Sequence, residues 1–129
     1  MLNNKNATPT LLRNVSDDHH HWIEFQLIGA PGHPRDATGA TIFLTTGKMT
    51  QRGDVLSGGS FASSNDPRVH FGLGTAEAID AITIHWPGGG VQKLTVSAVD
   101  RIYTVEEGKG IVGTLCVACS SIPVRKLSK

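Results

Sequence analysis

Apolar and polar residues alternate with a period of two along most of the chain, the pattern of strands that bury one face. Trp22-Ile23-Glu24-Phe25-Gln26-Leu27-Ile28 sets Ile23, Phe25 and Leu27 against Glu24 and Gln26, and Gly29-Ala30-Pro31-Gly32 ends it. A second strand is predicted over Gly39 to Thr46, where Ala40, Ile42 and Leu44 alternate with Thr41, Phe43 and Thr45. Thr46-Gly47-Lys48-Met49 places glycine at the first central position of a two-residue type II′ hairpin, so a return strand should run from Met49 towards Leu56. Its alternation is weak, and Lys48, Arg52 and Asp54 mark it as an edge strand that discourages sheet-to-sheet association. Val69, Phe71 and Leu73 alternate with Arg68, His70 and Gly72, and a glycine inside a strand predicts a bulge or a close backbone approach. Thr75 to Ala78 is too short for more than a helical turn. Ile82, Ile84 and Trp86 then oppose Ala81, Thr83 and His85. Pro87-Gly88 fits the centre of a type II turn with a positive φ at Gly88. Val91 to Val96 returns, and Arg101 to Val105 follows before Glu106-Glu107-Gly108 breaks the pattern.

About seven short strands at close spacing predict an all-β domain, sandwich-like or barrel-like. Its core should comprise Ile23, Phe25, Leu27, Ile42, Leu44, Val69, Phe71, Leu73, Ile82, Ile84, Trp86 and Val105. The chain has 129 residues with 15 glycines and six prolines, which fits one domain of strands and tight turns. Residues 1–18 read as a polar N-terminal segment, 19–108 as the β domain, and 109–129 as an extra strand or a tail ending in Arg125-Lys126-Leu127-Ser128-Lys129. Twelve Lys and Arg against eleven Asp and Glu leave a formal net charge of +1, so there is no general attraction to nucleic acid or anionic membrane. Met1 to Asp18 lacks a basic segment followed by an apolar run and does not read as a signal peptide. Ile111 to Cys119 is too short to span a bilayer, which needs about 20 residues.

Candidate chemistry is sparse. Ser63, Ser64, Asn65 and Asp66 supply oxygens in one loop and Asp36 in another, so a calcium site is one reading. Turn formation accounts for Asn65-Asp66-Pro67 without a cofactor, because Asn and Asp side chains hydrogen-bond their own backbone in turns. A hydrolase-like enzyme would draw a nucleophile from Ser60, Ser63 or Ser64 with His70 and Asp66. The Gly-x-Ser-x-Gly elbow that would support it is missing. His19-His20-His21 offers imidazoles, yet neighbouring residues of an extended segment point to opposite faces, which favours a solvated loop. Cys116-Val117-Ala118-Cys119 has redox or zinc spacing without the βαβ setting or the further ligands those sites need. Asn6-Ala7-Thr8 and Asn14-Val15-Ser16 fit the glycosylation triplet, a weak signal. Trp22 and Trp86 each end an apolar stripe and read as core or interface residues.

Asn65-Asp66-Pro67-Arg68-Val69-His70-Phe71-Gly72-Leu73-Gly74 followed by Ile84-His85-Trp86-Pro87-Gly88-Gly89-Gly90-Val91-Gln92 resembles the ASPIC/UnbV domain family. Leu11-Leu12-Arg13-Asn14, His21-Trp22-Ile23 and Arg35-Asp36-Ala37-Thr38-Gly39-Ala40 match that family's opening pattern in the same order. The resemblance implies a C-terminal module of extracellular or cell-surface proteins, placed after FG-GAP or VCBS repeats that form a β-propeller. No such repeats occur in this chain. The expected function is therefore a noncatalytic accessory or docking module, with a neighbouring propeller or another protein as partner and a role in adhesion. The loops Gly58 to Pro67 and Pro87 to Gly90 are the expected docking surface, since positioned loops on a rigid scaffold commonly carry binding. The candidate binding residues are Ser63, Ser64, Asn65, Asp66, Arg68, His70 and Trp86.

Overall fold

The computed structural model describes residues 8–12, 19–59 and 65–116. Eight strands are present among them: β1 (His21–Ile28), β2 (Thr41–Thr46), β3 (Met49–Asp54), β4 (Val69–Gly74), β5 (Ala81–His85), β6 (Val91–Leu94), β7 (Arg101–Glu106) and β8 (Gly110–Cys116). They form two four-stranded sheets, ordered β4-β1-β7-β8 and β3-β2-β5-β6. The all-β, sandwich-like class follows from the alternation, and the eighth strand is the extra strand allowed for after residue 108.

Every core position expected from the pattern is buried between the sheets, including Ile23, Phe25, Ile42, Leu44, Ile84 and Val105 at 0% exposure. Each such side chain adds roughly 1.5–3 kcal/mol to stability when it leaves water. Phe25 sits at the centre, its ring stacked on Tyr103 and edge-on to Phe71, with centroids 6.1 Å away in both pairs. Ala37, Val55 and Tyr103 join this core without having been expected there. Tyr103 can be buried because its hydroxyl donates to the Ala98 carbonyl at 2.8 Å, which removes the cost of an unsatisfied polar atom.

The pairing of β1 with β7 is parallel, from Ile23 opposite Arg101 to Ile28 opposite Glu106. An acidic residue stands at each end of this ladder. At the start, Asp100 donates its N–H to the Trp22 carbonyl at 2.7 Å. Its carboxylate accepts from the Trp22 N–H at 3.1 Å and pairs with His21 Nδ1 at 2.7 Å. Asp100 holds a positive φ of 59°, a conformation that aspartate tolerates better than most residues.

Two local readings are settled by the turns. Gly47 has φ 57° and Lys48 does not share it, which fits the type II′ hairpin. In the β5–β6 connection the positive φ lies at Gly89, at 87°, and not at Gly88. Gly89 N–H donates to the Trp86 carbonyl at 2.9 Å and Trp86 N–H to the Gly90 carbonyl at 2.8 Å. This is a three-residue hairpin, a type I turn closed by a left-handed glycine, so the expected type II turn is corrected. The bulge expected near Gly72 is present: His21 pairs Gly74 while Trp22 pairs Gly72, leaving Leu73 as the extra residue.

The free edges of the two sheets meet at β3 and β4. β3 is an edge strand, as its charges indicated. Gln51 Nε2 donates to the Gly72 carbonyl at 2.8 Å. A Cβ on Gly53 would lie 2.3 Å from Val69 Cγ1 and 2.8 Å from the Phe71 ring, both buried side chains. We expect Gly53→Ala to lower unfolding free energy by about 1–3 kcal/mol, the usual effect of overpacking. A denaturant midpoint indistinguishable from that of the parent chain would show that the edges are not in contact.

Candidate functional site

The strand directions bring several loops to one end of the sandwich. β4 and β8 run antiparallel to β1 and β7, so the exits of β1 and β7 lie beside the entries of β4 and β8. In the other sheet, Thr41 pairs both Asp54 and His85, and His85 pairs Val91. The loop 29–40, the hairpin 86–90, the turn after Glu106, the residues leaving β3 and those entering β4 therefore share that end. Of the loops expected to dock, Pro87 to Gly90 and the described residues 58–59 and 65–67 of the other belong to it. Ser63 and Ser64, with Ser60, fall outside the described residues.

The loop 29–40 is a chain of three turns, closed by His33 N–H to Ala30, Ala37 N–H to Pro34 and Ala40 N–H to Ala37, each at 2.9 Å. Gly29 must lack a side chain, since a Cβ there would sit 2.1 Å from the Pro34 carbonyl oxygen. Ala37 is fully buried with φ 51°, a left-handed conformation that non-glycine residues adopt at a cost. Such local strain persists only where the surroundings enforce it.

Glu107 ties this loop to the end of the β1–β7 ladder. Its N–H donates to the Ile28 carbonyl at 2.9 Å. Its carboxylate accepts from the Ala30 N–H at 3.0 Å and pairs with His33 Nδ1 at 2.8 Å. The His33 ring in turn lies directly against Gly88, where a Cβ would fall 2.5 Å from Cε1. Gln92 Oε1 completes the link by accepting from Trp86 Nε1 at 3.0 Å and from Gly108 N–H at 3.2 Å. The Ala30 N–H, and then His33, hold the Glu107 carboxyl below its ordinary value. Burial opposes the same shift in Asp100, but the hydrogen bonds from His21 and Trp22 outweigh it and leave that carboxyl lowered too.

Beside this framework run two adjoining hollows of about 390 and 370 Å³. The first is lined by Gln26, Leu27, Ile28, Arg35, Asp36 and Pro67. The second shares Ile28 and Arg35 and adds Gly29 to Pro31, His33 and Glu106. Ile28 and Arg35 line both hollows, which together form a groove beside the exit of β1. The Asp36 carboxylate is already engaged by the Thr38 hydroxyl at 2.8 Å. Glu106 is paired with Lys109 at 2.6 Å. The side chains of Arg35 and Gln26 make no hydrogen bond or ion pair with the described residues.

The sequence-derived candidates do not converge on one point. Asn65 and Asp66 stand in the approach to β4, next to Pro67 on the groove. Asp66 is held by Arg68, whose Nε donates to it at 2.9 Å, and this hydrogen bonding brings its carboxyl down to about 2. Arg68 also reaches Glu24 at 3.1 Å. His70 stacks on Trp22, with centroids 5.7 Å apart. Arg68 and His70 thus find cross-strand partners on the outer face of β1 and β4. Asp66 pairs with Arg68 and not with His70, so the dyad required by a hydrolytic reading is not assembled. Among the described residues no three His, Cys, Asp or Glu side chains gather as a metal cluster would. Trp86 is 4% exposed, so its ring is part of the core with its N–H satisfied by Gln92. The sequence alone does not single out Gln26 or Arg35, which line the groove. Gln26 reads as the polar face of a strand, and Arg35 has only its loop setting next to Asp36 to mark it.

A family model described as ASPIC and UnbV matches residues 30–112. No curated protein and no solved structure gives a significant match.

Two titrations check this electrostatic picture. In an NMR titration the Asp66 carboxyl should have its midpoint at about 2, and Arg68→Ala should return it to the ordinary range of about 4. An ordinary midpoint in the parent chain would contradict the pairing. Asp100 and Glu107 are lowered on folding, so their contribution is present above the unfolded carboxylate range and is lost as pH falls through the folded values. The double variant Asp100→Asn, Glu107→Gln should therefore lose less stability than the parent between about pH 5 and pH 2. Parallel losses in denaturant unfolding would refute this.

Proposed function

As the chain belongs to the ASPIC and UnbV family, which its match over residues 30–112 covers, we propose that it is a noncatalytic accessory module that docks through the loop end of its sandwich. The partner in this reading is a neighbouring FG-GAP-type β-propeller or another protein at an extracellular or cell surface, where the module supports packing or adhesion. The observation that carries it is the gathering of loops 29–40, 65–68 and 86–90 at one end of the sandwich, where two hollows open beside the exit of β1. Loops positioned by a rigid scaffold commonly carry binding. The framework beneath it is rigidly tied, so little ordering entropy opposes binding. Candidate catalytic groups are meanwhile committed to structural pairs, Asp66 to Arg68 and His70 to Trp22.

The reading is tested by mixing the purified domain with a separately purified FG-GAP-type propeller and following association by calorimetry. Asn65→Ala combined with Gln26→Ala should weaken association by about tenfold or more, equivalent to about 1.4 kcal/mol, without moving the melting temperature. Lys48→Ala, in the Gly47–Lys48 turn at the opposite end, should leave it unchanged. No association, or equal losses from substitutions at both ends, would end the docking proposal.

A further inference from the structure

We infer that the outer edge of β8 is a self-association surface, on which a second copy of this chain pairs its own β8 antiparallel about a two-fold axis at Leu115. The inference is independent of docking at the loop end. The two sides of the sandwich are finished differently. At β3 and β4 the sheets close on each other through Gln51 and Gly53, and β3 carries Arg52 and Asp54. On the other side β6 and β8 flank a hollow of about 490 Å³ lined by residues from both sheets, among them Val91, Leu94 and Gly110. Edge strands are ordinarily blunted by charge, proline or a bulge. β6 has the exposed Lys93, whereas β8 has neither charge nor proline, and no Asp, Glu, Lys or Arg occurs from Gly110 to Val124. Val91, Ile111, Val112 and Leu115 are all exposed along this side, Leu115 at 58%. β8 does carry a bulge at Val112, since Thr104 pairs Gly113 while Val105 pairs Ile111. The regular edge therefore starts at Gly113.

Self-complementarity selects the occupant. A two-fold interface sets the same surface against itself, so an edge that pairs with its own copy must bring no like charges together. Tyr103 and Val105 face the core, so Ile102 between them faces outward, and Leu115, which pairs Ile102, faces outward with it. Ile102 is buried although it stands outside the core cluster. With the axis at Leu115, this side chain meets Leu115 of the second copy, and the row Ile102–Leu115 runs on into the same two residues across the joint. Opposed apolar side chains on one face are the unit of sheet stabilisation. The uncharged β8 puts no like charges opposite each other, whereas the same operation on β6 would bring two Lys93 side chains together. The exposed backbone of an edge supplies the remaining bonds, as in other strand additions. β8 starts at the loop end, so antiparallel pairing points the two loop ends of the dimer in opposite directions.

Sedimentation equilibrium of the full chain tests this. The mass should rise from the 13.7 kDa of one copy towards twice that value as the concentration is raised to about 1 mM, and no further, because a two-fold pair is closed. In a mixture of ¹³C-labelled and unlabelled chains, intermolecular NOEs should join Leu115 to Leu115 and Thr114 to Cys116. Leu115→Lys, at an exposed position, should keep the melting temperature and weaken association about tenfold or more. Met49→Lys, at an exposed position on β3, should leave association unchanged. A mass of one copy at every concentration would overturn the inference. In that case β8 amides that slow in hydrogen exchange only when a propeller is added assign the edge to that partner, and amides already slow assign it to residues 117–129 of the same chain. Growth beyond two copies, NOEs that join other residues, or Leu115→Lys chains that associate like the parent would each overturn it as well.

Discussion

The parallel ladder between β1 and β7 is the constraint on which the rest of this domain depends. It joins segments 78 residues apart in the chain, a separation that adds to the entropy of closing the intervening loop. The ladder is bracketed by two acids used in the same way. Asp100 accepts from the Trp22 N–H and pairs with His21, and Glu107 accepts from the Ala30 N–H and pairs with His33. Each acid satisfies a backbone donor that would otherwise face the sheet's end unpaired. Each also donates its own N–H back to β1. The register of the ladder is thus defined from both ends, and with it the placement of Phe25 against Tyr103.

From that register the loop end follows. β1 leaves the sheet at Ile28 and must turn at once, because Gly29 packs against the Pro34 carbonyl and Ala30 is held by Glu107. The three turns that follow carry Arg35 outward and Ala37 inward. His33, fixed by Glu107, rests on Gly88 and so couples the first sheet to the β5–β6 hairpin. Gln92 closes the circuit by accepting from both Trp86 and Gly108. The hollows beside the exit of β1 lie next to this bracing and share Ile28 and Arg35.

Much of the fold was legible in the sequence because a buried strand face imposes its period directly on the residues. Ile82, Ile84 and Trp86, or Val69, Phe71 and Leu73, can be read as inward without any partner in view. The parallel pairing was not legible, since nothing in β1 or β7 states which neighbour it takes. Pro87-Gly88-Gly89-Gly90 offers more than one glycine for a positive φ, and only the hydrogen bonds between Trp86, Gly89 and Gly90 decide that Gly89 adopts it. The candidate site was legible at the level of loops but less so at the level of residues. Arg68, His70 and Trp86 look available in a linear sequence, and each is consumed by a partner brought from elsewhere: Asp66 and Glu24, Trp22, and the core with Gln92. Arg35 differs from them in that its side chain meets no partner among the described residues.

Hydrogen exchange of the domain with and without a bound FG-GAP-type propeller tests most directly whether this braced end is the working surface. On binding, the amides of residues 29–36, 65–68 and 88–90 should slow together, while those of the Gly47–Lys48 turn and residues 95–100 keep their rates. Slowing confined to the opposite end or to the outer edge of β8, with the loop end unchanged, would contradict the account.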